Sequence, residues 1–426
     1  MLCVFLLVLL VEIQAPAASC PDAGECRRLA LEASARGDFE VFHDLAWRAV
    51  QKGRPNDPDL MAILARAQAL SGRPGDALVM LARLANLGVT IDAAESEDFA
   101  VVRTLPGWPE VAAKLTGKPA PVAPAPVAPA APLAPLAPAS SAPSAPLAPT
   151  SPRPLASTPK ETLSFEAPGV SPMGLAHDAV SRRFVLGDRN AQRLLVIDEA
   201  SHNVVNFVSA ASAGFYDRLE GFAIDPRRGD LWVVSSRGDT DASASILHKL
   251  QLVSGRRLAQ AVAPERAGAV RFAAVSVGVD GTVYALDALD SRIFRLRPGA
   301  RSLEQVMRLD ARGATALAVA DERTLFVAAE RGIVHVDLAS RAATLVKTAD
   351  ALTGIESLGW RAGALLGVQR VAESSLIIRV PLEPSGTRAL PRQILAASPS
   401  ATVGGLAGDA FYYLSDATTI RRLPLR

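Results

Sequence analysis

From Met173 to Arg426 the hydrophobic and polar positions recur in one order: a small or apolar segment, a turn, an apolar strand, a turn, and a second apolar strand. The six copies read MGLAHDAVSRRFVLGDRNAQRLLVID, EGFAIDPRRGDLWVVSSRGD…SILHKLQL, VSVGVDGTVYALDALDSRIFRLRP, ALAVADERTLFVAAERGIVHVDL, ESLGWRAGALLGVQRVAESSLIIRVPL and GGLAGDAFYYLSDATTIRRLPL. They begin near Met173, Glu220, Val275, Ala316, Glu356 and Gly404, a pitch of roughly 40 to 55 residues, which suits propeller blades. One four-stranded blade cannot bury both of its faces, so a ring of blades must supply the core. The sixth copy holds three strands, around Leu406, Tyr412 and Leu423, and Thr162-Leu-Ser-Phe-Glu166 upstream offers the missing fourth. Pairing the two ends of the domain would remove two free sheet edges. The pattern predicts a six-bladed all-β propeller over residues 161–426, closed by its N-terminal strand.

Before the ring the period changes from two to between three and four. Asp22 to Ala35, Asp38 to Lys52, Asp57 to Leu70 and Gly75 to Leu87 read as helices, with Asp22, Asp38 and Asp57 as N-caps and Gly37, Gly53, Gly72 and Gly88 at the ends. The fold class is therefore multidomain α + β, with a helical domain over 21–116. Between the domains, residues 117–160 hold 14 of the chain's 31 prolines, alternating with Ala and with no apolar face, so this segment cannot build a core. It reads as a disordered Pro/Ala-rich linker: a semi-rigid polyproline spacer between two modules, or an unselective tether.

The N-terminus, 1–18, reads as a signal peptide. Val4 to Val11 is an apolar run too short to span a bilayer, and Ala15-Pro-Ala-Ala18 suits cleavage, although the run has no basic start. No other segment is long and apolar enough for a transmembrane helix in the mature chain. Removal of the signal with Cys3 leaves Cys20 and Cys26, an even pair fit for a disulfide in an oxidising compartment. The alternative is a lipid anchor at Cys20, within Ala17-Ala-Ser-Cys20. Both readings place the protein in the periplasm or the secreted fraction of a bacterial envelope.

A net charge of +2, with no Lys/Arg cluster beside aromatic residues, argues against a nucleic-acid partner. His43, His177, His202, His248 and His335 are scattered, and the chain carries no HExxH pair, G-x-S-x-G elbow, P-loop or dinucleotide fingerprint. Aligning the six copies leaves Met173, Glu220, Val275, Ala316, Glu356 and Gly404 equivalent. Only blades two and five then carry a charge there, and in a six-fold ring those blades face each other. Glu220 and Glu356 are thus candidates to line an axial channel, where they could hold a cation, clamp a basic ligand or share a proton. Arg189, Arg237, Arg331 and Arg370, in the turns after the second strands, are candidate counter-ions or ligand contacts at its mouth.

Two resemblances add to this reading. The third and fourth helices, with Leu64-Ala65, Gly72, Ala77, Leu81 and Leu84, resemble a tetratricopeptide repeat, and Asp98 to Trp108 with Val111 and Leu115 resembles its capping segment. Such arrays imply a protein or peptide partner. The ring resembles the NHL-repeat and gluconolactonase-like propellers, through Asp188-Arg-Asn190 before Gln192-Arg-Leu-Leu-Val, Asp287 before Ser291-Arg-Ile-Phe-Arg, and Asp416 before Ile420-Arg-Arg-Leu. These Asp residues are expected to accept turn N–H groups. The metal-dependent lactonase members imply one axial divalent cation, calcium, but Pro172-Met173-Gly174 stands where their Glu would be, and Val275-Ser276 and Ala316-Leu317 where Asn is expected. The leading expectation is a non-catalytic binding or scaffold protein without a cofactor; the alternative is a metal-dependent lactonase- or esterase-like hydrolase.

Overall fold

The computed structural model describes residues 20–116, 161–225, 227–238, 242–401 and 403–425; the expected signal peptide and the Pro/Ala linker lie outside them. Four helices open the fold: α1 (Ala23–Ala35), α2 (Phe39–Lys52), α3 (Pro58–Leu70) and α4 (Pro74–Asn86). Asp22, Asp38 and Asp57 cap the first three, each side chain accepting an N–H three residues on. Gly37, Gly72 and Gly88 follow helices at φ of 76°, 75° and 73°, a region closed to most side chains. Gly53 is extended instead, at φ −78°. Arg73, before α4, makes no side-chain cap. The expected capping segment forms a 3₁₀ turn (Glu97–Phe99), α5 (Ala100–Arg103) and α6 (Trp108–Thr116), and α6 packs on α4.

Cys20 and Cys26 are disulfide-bonded, as the pair predicts. That bond uses the Cys20 sulfur which a thioether-linked lipid would need. Among the described residues no helix is long and apolar enough to cross a membrane.

Residues 161–425 form six four-stranded sheets. Their inner strands are Pro172–Asp178, Arg218–Asp225, Phe272–Val277, Ala316–Val319, Ile355–Arg361 and Gly404–Ala407. Each touches the next and the sixth touches the first, so the sheets are blades 1 to 6 of a closed propeller. Closure comes from Glu161–Ser164, which pairs antiparallel with the last strand of blade 6, Thr419–Pro424, in the register Thr162 to Arg421 and Leu163 to Ile420. The outer edge of blade 6 is therefore covered, as the pattern predicts.

The turns between strands use one local device repeatedly. Asp188 Oδ1 accepts the Ser171 N–H at 3.2 Å, and its Oδ2 takes the Arg193 Nε at 3.1 Å. Asp287 Oδ1 accepts from Arg271 and Leu289 N at 2.9 and 3.1 Å, and its Oδ2 holds Arg292 Nε at 2.7 Å. Asp178, which the spacing analysis did not single out, repeats the arrangement with Val180 N, Ser181 N and Arg183. Asp416 accepts the Thr418 N–H at 2.9 Å. An Asp that gives one oxygen to a turn and the other to an Arg five residues on has both oxygens satisfied although buried. These residues are structural.

The helices and the ring are not held apart. The apolar interior of α2, α3 and α4, with Phe42, Trp47, Leu64, Met80 and Leu84, is continuous with Val180, Leu231, Leu250 and Val253 of blades 1 and 2.

Candidate functional site

The axial candidates sit at backbone irregularities. In blade 2 the inner strand pairs Leu219 with Ser235 and Gly221 with Val234, leaving Glu220 as an unpaired bulge residue. Blade 5 does the same: Ile355 pairs with Gln369, Ser357 with Val368, and Glu356 bulges out. A bulge re-aims the side chain of its extra residue and tightens the local twist. The ring order puts the inner strands of blades 2 and 5 three places apart, on opposite sides of the axis. In blade 3 the bulge residue is Ala273, between Phe272 and Ala274. Val275, which the sequence alignment placed there, instead pairs with Ala285 and is buried. The alignment slips by two residues in blade 3 because the bulge lies upstream of the apolar run by which the copies were matched. Met173 lies in the blade 1 bulge, whereas Ala316 and Gly404 begin regular strands.

Each glutamate is matched within its own blade. Arg370 Nε donates to Glu356 Oε1 at 2.7 Å. Arg218 Nε lies 3.6 Å from Glu220 Oε1 and sits two residues before it on the same strand. Of the four arginines expected at the mouth, only Arg370 meets a glutamate. Arg237 lies over the Tyr216 ring at 4.4 Å. Arg189 uses its backbone N–H on Ser171 O at 2.8 Å. Arg331 lines a small cavity of about 160 Å³ with Arg312 and Leu345. Arg218 was missed, though the Arg-Leu-Glu spacing, which puts first and third residues on one side of a strand, carried the signal.

The donor set for a lactonase-type cation is not assembled. Glu220 and Glu356 belong to opposite blades and each faces a guanidinium. Among the described residues no three His, Cys, Asp or Glu side chains come together as a metal-holding group. The residues present do not fit that ion.

Sequence reasoning also missed a polar pair in blade 2. Ser235 Oγ and His248 Nε2 lie 2.8 Å apart, both fully buried, and the Tyr216 N–H donates to the same hydroxyl at 3.0 Å. Burial lowers the His248 pKa to about 4, so the ring is neutral at pH 7. A hydroxyl–imidazole pair without a solvent path or an orienting carboxylate on Nδ1 has no substrate to act on, and it serves the core.

The seam between helices and ring carries several buried polar groups, among them His43 and Asp76. Trp47 is 1% exposed and lies against Gly229, whose φ is +65° and where a Cβ would come within 2.6 Å of the indole. Only glycine serves both the turn and the contact. Arg83 Nη1 donates to Val180 O at 3.2 Å, and Arg228 Nε lies 3.5 Å from Asp44 Oδ2. Asp76 is buried beside Ser254 of the ring, and burial pushes its carboxyl up to about 6. Burial likewise lowers the pKa of His43 on α2.

No family model matches the chain, and no curated protein matches it. Solved structures are similar in fold alone. The major allergen Mala s 1 of Malassezia sympodialis aligns at 13% identity over 61% of this chain and 95% of its own, with a TM-score of 0.49. A candidate gluconolactonase aligns at 13% over 62% of this chain and 93% of its own, TM-score 0.46. A PQQ-bound aldose sugar dehydrogenase of Streptomyces coelicolor aligns at 12% over 63% and 97%, TM-score 0.45.

Proposed function

We propose that the chain is an exported binding or scaffold protein of the bacterial envelope, presenting the helical module and the propeller to a protein or peptide partner as one body. The observation that carries this reading is the shared core: Trp47, Leu64 and Met80 pack with Val180, Leu231 and Leu250, which fixes the relative orientation of two folds that commonly serve as platforms. The Cys20–Cys26 disulfide supports an oxidising compartment. Hydrolysis assisted by a divalent cation is not favoured, because both axial glutamates are already paired with arginine. The test is cross-linking and affinity capture with the full chain beside the variant Trp47→Ala, which loosens the seam. A partner held by the full chain and lost by the variant supports the reading. A partner held equally by both sinks the composite surface, and a stoichiometric calcium ion in chelator-free protein would restore the hydrolase.

A further inference from the structure

Away from the axis and bordering the seam at Arg228, a cavity of about 400 Å³ lies in the groove between blades 2 and 3, a volume in the range of small-molecule sites. Blade 2 supplies one cross-strand row: Trp232 stands opposite Lys249, and Lys249 opposite Ala259, so all three side chains share a face. Blade 3 supplies the turn after its third strand (Arg292–Leu296), from Arg297 to Arg301.

The charge around this cleft is unevenly matched. Arg228 has Asp44 at 3.5 Å, Lys249 has Asp230 at 2.7 Å and Arg297 has Glu304 at 3.0 Å. Arg301 lines the cavity too, and Arg227 Nη1 stands 3.7 Å from where a Cβ would project at Gly281, a lining residue. Neither Arg227 nor Arg301 has an ion pair among the described residues. Asp225 is the acid in the lining; it is buried, and its Oδ1 accepts the Arg227 backbone N–H at 2.8 Å. The crowding of cations reaches α2, where burial and then the Arg227 charge lower the pKa of Arg48. Trp232 is 8% exposed, its Nε1 is buried without a hydrogen-bond partner, and Lys249 Nζ lies 5.6 Å from the ring centroid. Guanidinium groups lacking carboxylates, beside an unmatched indole donor, form a surface that an oxyanion on a hydroxyl-rich body would satisfy.

We propose that the groove between blades 2 and 3 binds a small acidic saccharide, its carboxylate or phosphate held by Arg227 and Arg301 and a hydroxyl by the Trp232 edge. This site stands whether or not the two modules bind a protein partner. Calorimetry and tryptophan fluorescence on the full chain, with galacturonate, glucose 6-phosphate, glucose and inorganic phosphate as probes, test it. An acidic sugar should bind at least about tenfold tighter than glucose, with an affinity that falls as salt rises. The double variant Arg227→Gln/Arg301→Gln should lose about tenfold or more, while Arg331→Gln, outside the groove, should bind as the wild type does. The fluorescence response should vanish in Trp232→Phe but not in Trp360→Phe. The tighter of the two acidic sugars identifies the oxyanion. Equal binding of glucose, inorganic phosphate binding as tightly as the sugars, or a double variant with unchanged affinity and an unchanged melt would overturn the site.

Discussion

Blades 2 and 5 stand opposite each other, and both carry a glutamate at the bulge of the inner strand with an arginine beside it. Outside the ring they differ. Blade 5 turns its polarity inward on its own loops: Gln369 Nε2 donates to Ala351 O and Thr353 O, both at 2.8 Å, and Arg392 Nη1 donates to the Gln369 Oε1. Blade 2 carries α2 on its Gly229 turn and opens a cation-rich groove toward blade 3. The glutamate therefore belongs to the repeat, whereas the engaged surface belongs to one blade. In a ring of copies, the positions that break symmetry say more about function than those that two blades share.

The largest expected effect lies at the asymmetric side. Trp47→Ala removes the side chain that fills the Gly229 turn, and it should cost about 3–5 kcal/mol, splitting a single denaturation curve into separate transitions for helices and ring. A truncation on the bare side, such as Ile394→Ala at a 38% exposed position on the outer strand of blade 5, should change the melt little. If both behave alike, the seam is not what distinguishes the blades.

Next comes the pH response of the seam. The Asp76 carboxyl titrates near 6 in the fold against 3.8 in the free side chain, so its protonated form is the one the fold prefers. Its contribution is fully present below about pH 4, falls as pH rises through 6, and amounts to about 3 kcal/mol. His43 acts with the opposite sign, because burial favours its neutral ring and its contribution fades as pH falls. Urea melts of the wild type and Asp76→Asn from pH 3.5 to 7.5 isolate the aspartate as the difference between the two slopes. Parallel slopes would remove Asp76 from the account.

A smaller loss is expected on replacing Cys20 and Cys26 with serine. Closing so short a loop contributes about 2 kcal/mol, confined to the helical transition and readable by circular dichroism. The smallest effect concerns the shared motif. The Arg370–Glu356 pair is 42% and 30% exposed, so a double-mutant cycle should give about 0.5 kcal/mol, and the looser Arg218–Glu220 pair less. Coupling of several kcal/mol at either pair would make the axis a buried functional site after all.

The ring was readable from sequence because each blade repeats its own local physics. The alternation of apolar residues and the Asp188 and Asp287 turns act within a few residues of where they are read, and Thr162 was found because the sixth copy visibly lacks one strand. The helices were equally readable through Asp22, Asp38 and Asp57. Trp47 against Gly229 was not, since neither residue signals a partner some 180 positions away. The blade 3 register failed for a related reason: the bulge at Ala273 changes which residue occupies a position without changing the apolar pattern. Arg227 and Arg301 lie on different blades, and only the closed ring brings them to one groove.

The closing strand has a consequence for how the chain is made. Glu161–Ser164 cannot find Thr419–Pro424 until the whole ring has left the ribosome, an interval on the order of tens of seconds at ordinary synthesis rates. Through that time blades 1 and 2 already have the helices, synthesised before them, to cover their apolar turns. The helical module thus doubles as a nursery for the first third of the propeller, and its removal should show first as nascent-chain aggregation rather than as a lower melting point.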